Sequence, residues 1–274
     1  MAQTYTGTAA YTNTITIPDD GDPAAAASVN NPAKSEADMN MFLLQSIGLM
    51  PQSTSAIFLS CVNRTSINIG PISSIIVNEV GNYKTIGTAA VSSVGIAQVE
   101  GAPAQFAAST WYYIYAYSNL GVLNFIIRTV RPDVWNMFAL GSDVQRYIGC
   151  FRTDTNAVPG IVPFVMSRGN YTYLDKLSVG GGSALVETTV LTSSFVPPTS
   201  RLARLLCNYT ANAPGSFTII PFTGLSGYVF NVTPMIPVSD NAYIEMPTDT
   251  QQNIRYLVST NQIAVDINVN GFHE

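Results

Sequence analysis

Residues 111–129 read "WYYIYAYSNLGVLNFIIRT", and the reading of this stretch decides the fold class. Two runs of aromatic and β-branched residues flank Ser118, Asn119, Leu120 and Gly121. Such runs suit the pleated, half-buried surface of a strand. Asn and Gly between them tolerate the backbone angles of a tight turn. The stretch predicts an antiparallel hairpin. Successive strand residues face opposite ways, so Tyr112, Tyr113, Tyr115 and Tyr117 divide between two faces. One face can stack on a sugar or fill an interface, and the plainer reading makes it core with a cross-strand ladder opposite. These four tyrosines are carried forward as interface or ligand candidates.

The same texture extends in both directions. "SAIFLSCV", "TSINIG", "SSIIVNEV", "RYIGCFRTD" and "IVPFVMS" are short apolar runs separated by Gly, Asn, Pro and Ser. After residue 183, "RLARLLCNYT", "SFTIIPF", "NIRYLVST" and "IAVDINVNGF" form a second such set. Short strands at this spacing argue for a sandwich or barrel. Between the two sets lie Gly180, Gly181 and Gly182, which are expected to break regular structure and mark a boundary.

The N-terminal region differs. "YTNTITIP" alternates polar and apolar residues as a strand does, with Ile15 and Ile17 on its apolar side. "DDGDP" follows, a turn composition in which aspartates bond their own backbone and Gly21 accepts positive φ. Residues 32–47 then carry Ala33, Ala37, Met41 and Leu44 at helical spacing, with Gly48 to close the helix. The expected fold is mainly β: an N-terminal arm strand and one helix, then two antiparallel β-sandwich (jelly-roll-like) domains. Their spans are 1–50 for docking or trimerisation, 51–178 for the first β domain and 183–274 for the second. Ile15, Ile17, Met41 and Leu44 are interface candidates.

Composition narrows the function. Charged residues make up 11% of the 274 residues and apolar residues 47%, against about 25% charged in an ordinary globular domain. Charge is costly to bury at contacts, so such a chain is expected to be covered by partners. The net charge is −5 and the twelve Lys and Arg are scattered apart from Arg128 and Arg131, so no nucleic-acid partner bound through counterion release is expected. No apolar run approaches the roughly 20 residues of a spanning helix, so no membrane insertion is expected. Cys61, Cys150 and Cys207 stand apart in apolar contexts and read as buried free thiols.

The chain contains one histidine, His273. Ser-His-Asp, Cys-His and His-based zinc chemistry are therefore not expected. No phosphate or dinucleotide loop appears. A glycosidase carboxylate pair drawn from Asp133, Asp143, Asp154, Asp175 and Glu187 remains open, each with a turn or strand-end explanation. Asp20 and Asp22 have the alternate spacing of calcium ligands, but the full loop pattern is absent, and a structural turn is the better reading. No cofactor and no catalytic residue is assigned.

Three stretches carry a resemblance. "NTITIPDDGDPAAAASVN" followed by a helix resembles N-terminal segments of tailed-bacteriophage virion proteins. "WYYIYAYSNLGVLNFIIRTVRPD", "RYIGCFRTD" and "IVPF" resemble a β domain of phage fibre and head-surface proteins. "IRYLVSTNQIAVDINVNGFHE" resembles the last strands of sandwich domains in such proteins. The resemblance implies a non-enzymatic virion structural protein, assembled in the host cytoplasm and homotrimeric. Its partners would be the major capsid protein or tail proteins. Short length and the absence of a stalk favour a capsid decoration or cement protein. Exposed aromatics would favour a tail-fibre or receptor-binding protein that holds a host surface glycan. A carbohydrate-active depolymerase is the third expectation.

Overall fold

The computed structural model describes residues 2–6, 14–18, 57–79, 82–132, 145–200, 202–221, 227–232, 238–248 and 251–274. The Asp20 and Asp22 turn, the predicted helix with Met41 and Leu44, and the carboxylates Asp133 and Asp143 lie outside the described residues.

Strands β1 (Ala2–Thr6) and β2 (Thr14–Pro18) pair antiparallel, with Ile15 opposite Tyr5 and Ile17 opposite Gln3. Next come β3 (Phe58–Asn63), β4 (Ser66–Ile69), β5 (Ile72–Glu79), β6 (Asn82–Thr88) and β7 (Ser92–Gly95). The predicted hairpin follows as β8 (Trp111–Asn119) and β9 (Val122–Arg128). Leu120 and Gly121 form its turn with φ of 52° and 80°, the left-handed angles that a two-residue hairpin loop requires. Then come β10 (Arg146–Arg152), β11 (Phe164–Ser167), β12 (Asn170–Gly182) and β13 (Thr188–Leu191). The last strands are β14 (Leu202–Ala211), β15 (Gly215–Ile220), β16 (Tyr228–Val232), β17 (Val238–Pro247), β18 (Asn253–Val258) and β19 (Ile263–His273). Among the described residues the only helical segment is a 3-10 turn, Ile96–Gln98. The chain is mainly β, and every pairing among the described strands is antiparallel.

The strands form an eight-stranded sheet ordered β17-β14-β19-β12-β11-β3-β4-β7, a four-stranded sheet β13-β18-β15-β16, a three-stranded sheet β10-β8-β9 and two ribbons, β1-β2 and β5-β6. Tyr112 through Ala116 on β8 and Arg146 through Phe151 on β10 are all buried, so both faces of these strands are covered. Continuous apolar runs are what two-sided burial selects. Tyr112 stacks on Phe151 at 5.3 Å, and Phe106 meets both rings edge-on. In the C-terminal region Tyr209 of β14 meets Phe217 of β15 at 5.0 Å, and Phe217 stacks on Phe230 of β16.

One strand escapes the period-2 reading. The glycines expected to break regular structure instead end β12, and Gly180, Gly181 and Gly182 pair with Ile267, Asp266 and Val265 of β19. This is a correction. The eight-stranded sheet takes strands from both sides of the expected boundary at 178–183, and β12 itself runs through it. At Gly181 φ is +145°, an extended conformation that L side chains rarely adopt, and a Cβ there would overlap the carbonyl oxygen of Val265. The backbones of β12 and β19 can approach only because no side chain intervenes.

Further along the same pair the register shifts: Thr172 faces Gly271, whereas Leu177 faces Val269. Residues 173–176 of β12 therefore stand against Asn270 alone, a wide bulge that bends the strand. β14 meets the same irregularity, with Arg204 opposite Gly271 and Leu205 opposite Val269.

Gly181→Ala is expected to cost about 3 kcal/mol, combining backbone strain and overlap. Gly101→Ala, at a positive-φ turn with open space around it, is expected to cost only about 1 kcal/mol. Urea denaturation of the two variants checks this; equal losses would show that the β12–β19 approach is not the constraint.

Candidate functional site

A cavity of about 670 Å³ opens where the bulge of β12 passes the end of β10. Its volume lies in the usual range of small-molecule sites. One wall is the end of β10 and the segment after it, Arg152 to Thr155. Asp175, Leu177, Ser178 and Val179 of β12 form another, and Leu191, Ser194 and Phe195 a third. Arg64 and Ser109 complete the rim.

The walls are held from behind. The Asp154 carboxylate accepts from the backbone amides of Asn156 and Gly160, both at 3.1 Å, and from Nδ2 of Asn156 at 2.8 Å. Arg64 pairs with its other face. Desolvation pushes this carboxyl upward, but the amide bonds and the Arg64 charge outweigh it and hold the pKa below the ordinary value. Thr153 donates to the Ala107 carbonyl at 2.6 Å and accepts from the Thr110 amide at 3.0 Å, which ties this wall to the segment before β8. On the far wall Tyr173 donates to the Phe195 carbonyl at 2.7 Å, and Trp111 Nε1 donates to the Ser193 carbonyl at 3.2 Å.

Arg152 has a different environment. Its guanidinium lies 5.7 Å from the Trp111 ring centre and 6.0 Å from that of Phe195. Among the described residues no carboxylate comes within ion-pairing distance of it. Burial lowers its pKa, and only the Tyr173 phenol acts in the opposite direction. Ring contacts stabilise the cation without using its N–H donors, and among the described residues no ion pair engages them.

The expected candidates fall elsewhere. Tyr112, Tyr113 and Tyr115 are 2%, 3% and 0% exposed, so the aromatic strand is core. They offer no surface to a ligand or neighbour, which corrects that assignment; Tyr117 is half-buried. Side-chain packing on both faces of β8, not solvent on one, accounts for the difference. Of the carboxylates proposed as a glycosidase pair, Asp154 and Asp175 do line one cavity, whereas Glu187 pairs with Arg255. Asp154 is a poor general acid, because its pKa is lowered and an acid needs it raised. Arg128 pairs with Glu100, as a strand-end cation should. Arg152, Trp111 and Phe195 were not singled out from the sequence. The available signal was a charged Arg-Thr-Asp at the end of the mostly apolar run Tyr147 to Phe151.

The thiols are free, with Cys150 and Cys207 buried and Cys61 half-buried. Burial pushes the Cys207 thiol up to about 12, and Asp266 adds to the shift. Cys150 belongs to a second polar cluster behind the cavity. The Glu274 carboxylate accepts from the Tyr147 hydroxyl at 2.6 and 2.7 Å and from Thr199, and lies 3.6 Å from Cys150 Sγ. Tyr171 Oη accepts from the Cys150 amide at 2.8 Å. Burial raises the Glu274 pKa, and the hydrogen bonds from Thr199, Tyr147, Cys150 and Tyr171 only partly oppose it. Among the described residues no group of three His, Cys, Asp or Glu side chains could hold a metal ion.

No protein-family model matches the sequence. No curated protein matches it. Solved structures overlap it weakly. They include three insecticidal proteins of Bacillus thuringiensis: the δ-endotoxin Cry8Ea1, a Cry1Da tryptic core variant and the crystal protein Cry7Ca1. Identities are 9%, 8% and 10%, and TM-scores are 0.19, 0.22 and 0.21. The overlaps cover 84%, 84% and 85% of this chain and 54% of each of those chains. The chain thus spans about half the length of those structures, and overlaps this slight leave function to the chain's own residues.

A group whose pKa rises on folding favours the folded state while protonated, and that contribution fades as pH climbs through the raised value. Glu274 is such a group. The urea midpoint of the wild type should therefore fall relative to that of Glu274→Gln as pH rises above 4.5, the ordinary carboxyl value. A difference between the two that does not change with pH would contradict the assignment.

Proposed function

We propose that the chain is a non-enzymatic structural protein of a tailed-bacteriophage virion, assembled in the host cytoplasm. It is a homotrimeric capsid decoration or cement protein that docks through residues 1–50 on the major capsid protein. Its β strands form antiparallel sandwiches of jelly-roll type that share the eight-stranded sheet. The Tyr209–Phe217 contact between two sheets supports the sandwich reading of the C-terminal part.

The observation that carries the assembly reading is exposed apolar surface on a charge-poor chain. Val186, Tyr243 and Val229 are 73%, 70% and 59% exposed, while charged residues make up 11% of the sequence. Large apolar side chains left in water on a sheet protein are stabilised when copies or neighbours cover them. A second reading, a tail-fibre or receptor-binding protein holding a host surface glycan, is favoured by the cavity beside Arg152. The lowered Asp154 pKa counts against the depolymerase alternative.

Deleting residues 1–50 should abolish incorporation into particles while the remaining chain stays folded by circular dichroism. Counting copies per particle by quantitative gel densitometry then separates the two structural readings. Hundreds of copies would support the shell; a few dozen or fewer would support the tail. Unchanged incorporation of the truncated chain would overturn docking through this segment.

A further inference from the structure

We infer that the cavity beside Arg152 binds a sugar that carries one carboxylate, such as a uronic or a nonulosonic acid. The inference supplies the chemistry of the glycan-binding reading above. It does not depend on the chain belonging to a virion.

Charge distribution carries the argument. Two arginines line the cavity, and one of them, Arg64, is neutralised by Asp154. Arg152 is not neutralised by any described carboxylate, although it is partly withdrawn from water between Trp111 and Phe195. A half-buried guanidinium with open N–H donors is the standard partner for a carboxylate, which it can hold through two parallel hydrogen bonds. The rings orient the cation without consuming those donors. Both rings sit on segments held by side-chain-to-carbonyl hydrogen bonds, from Trp111 to Ser193 and from Tyr173 to Phe195. The site is therefore formed before a ligand arrives, which lowers the cost of binding.

The remaining lining selects the body of the ligand. Ser109, Thr155 and Ser194 add hydroxyls to the rim. Leu177, Val179 and Leu191 add an apolar wall, and Leu191 is 61% exposed. A sugar ring presents both kinds of surface, hydroxyl edges and a C–H face. Asp175 can accept from a sugar hydroxyl, but its charge disfavours a ligand bearing more than one negative charge. That argues against phosphate esters and nucleotides and for a single carboxylate. Ser109 adds a further mark, since its φ of 52° is unusual for a non-glycine residue, and such conformations gather at ligand sites.

Isothermal titration calorimetry on the full chain tests the inference. The probes are N-acetylneuraminic acid, its methyl glycoside, glucuronic acid, glucose and inorganic phosphate. At least one sugar acid should bind about tenfold or more tightly than glucose or phosphate. If the free acid binds and its methyl glycoside does not, the source is a free sugar; binding of both points to a sugar at the end of a surface glycan. Arg152→Gln should weaken the acid by about tenfold or more and leave glucose unchanged. Leu191→Trp, made at an exposed position that tolerates change, should block the cavity and weaken every sugar. Should Arg152→Gln fail to fold, Leu191→Trp carries the test. Sugar acids that bind no better than glucose, phosphate that binds best, or acid binding unchanged in Leu191→Trp would each overturn the inference. A chain that binds sugar acids in solution but is missing from particles would overturn the virion reading alone.

Discussion

The close pairing of β12 with β19 is the constraint on which the rest of the structure depends. It exists because Gly181, the middle of three consecutive glycines, lets two backbones meet where a Cβ would collide with the Val265 carbonyl. That pairing inserts β12 between β19 on one side and β11 on the other. Strands from the two halves of the sequence thereby share one hydrogen-bonded sheet. It also sets the Tyr171 ring on Phe272 at 4.1 Å, with Trp111 edge-on to the same phenylalanine at 6.0 Å. These aromatic contacts tie β8, β12 and β19 together more firmly than area burial alone.

The cavity is a by-product of the same constraint. β12 cannot keep one register along all of β19, because Gly271 closes against the Tyr171 carbonyl while Asn270 is left over. The four-residue bulge that results pushes Asp175 outward and brings Leu177, Ser178 and Val179 to the cavity wall. Bulges bend strands and re-aim side chains, and here the bend leaves a space instead of a packed layer.

Polar groups around this space are mostly matched. Asp154 has two amides, an amide side chain and an arginine, and Glu274 has two hydroxyls. Buried or half-buried charge is costly unless paired; Asp154 obeys that rule, whereas at Glu274 hydrogen bonds only partly offset burial. Arg152 departs from it. In a molecule with few charges, a cation held against two rings with no described acid nearby is the feature most in need of an external partner. The exposed valines and Tyr243 are its apolar counterpart at the surface.

Alternating apolar and polar residues are a local property, so the sequence by itself determined that the chain is mainly β and where most strands lie. The hairpin at Asn119 to Val122 and the burial of Cys150 and Cys207, though not of Cys61, were legible for the same reason: each follows from neighbours in sequence or from residue type. β12 was not legible, since glycines have no side chain to show a period and their usual meaning is a break. Whether Tyr112, Tyr113 and Tyr115 face solvent or core was also undecided, because a strand buried on both faces and an interface strand share one composition. Only the tertiary structure decided these points, along with the cavity and the isolation of Arg152. Each depends on which distant segments meet: Val265 against Gly181, Phe195 against Arg152, Arg64 drawing Asp154 away. Contacts over such separations leave no trace in local pattern.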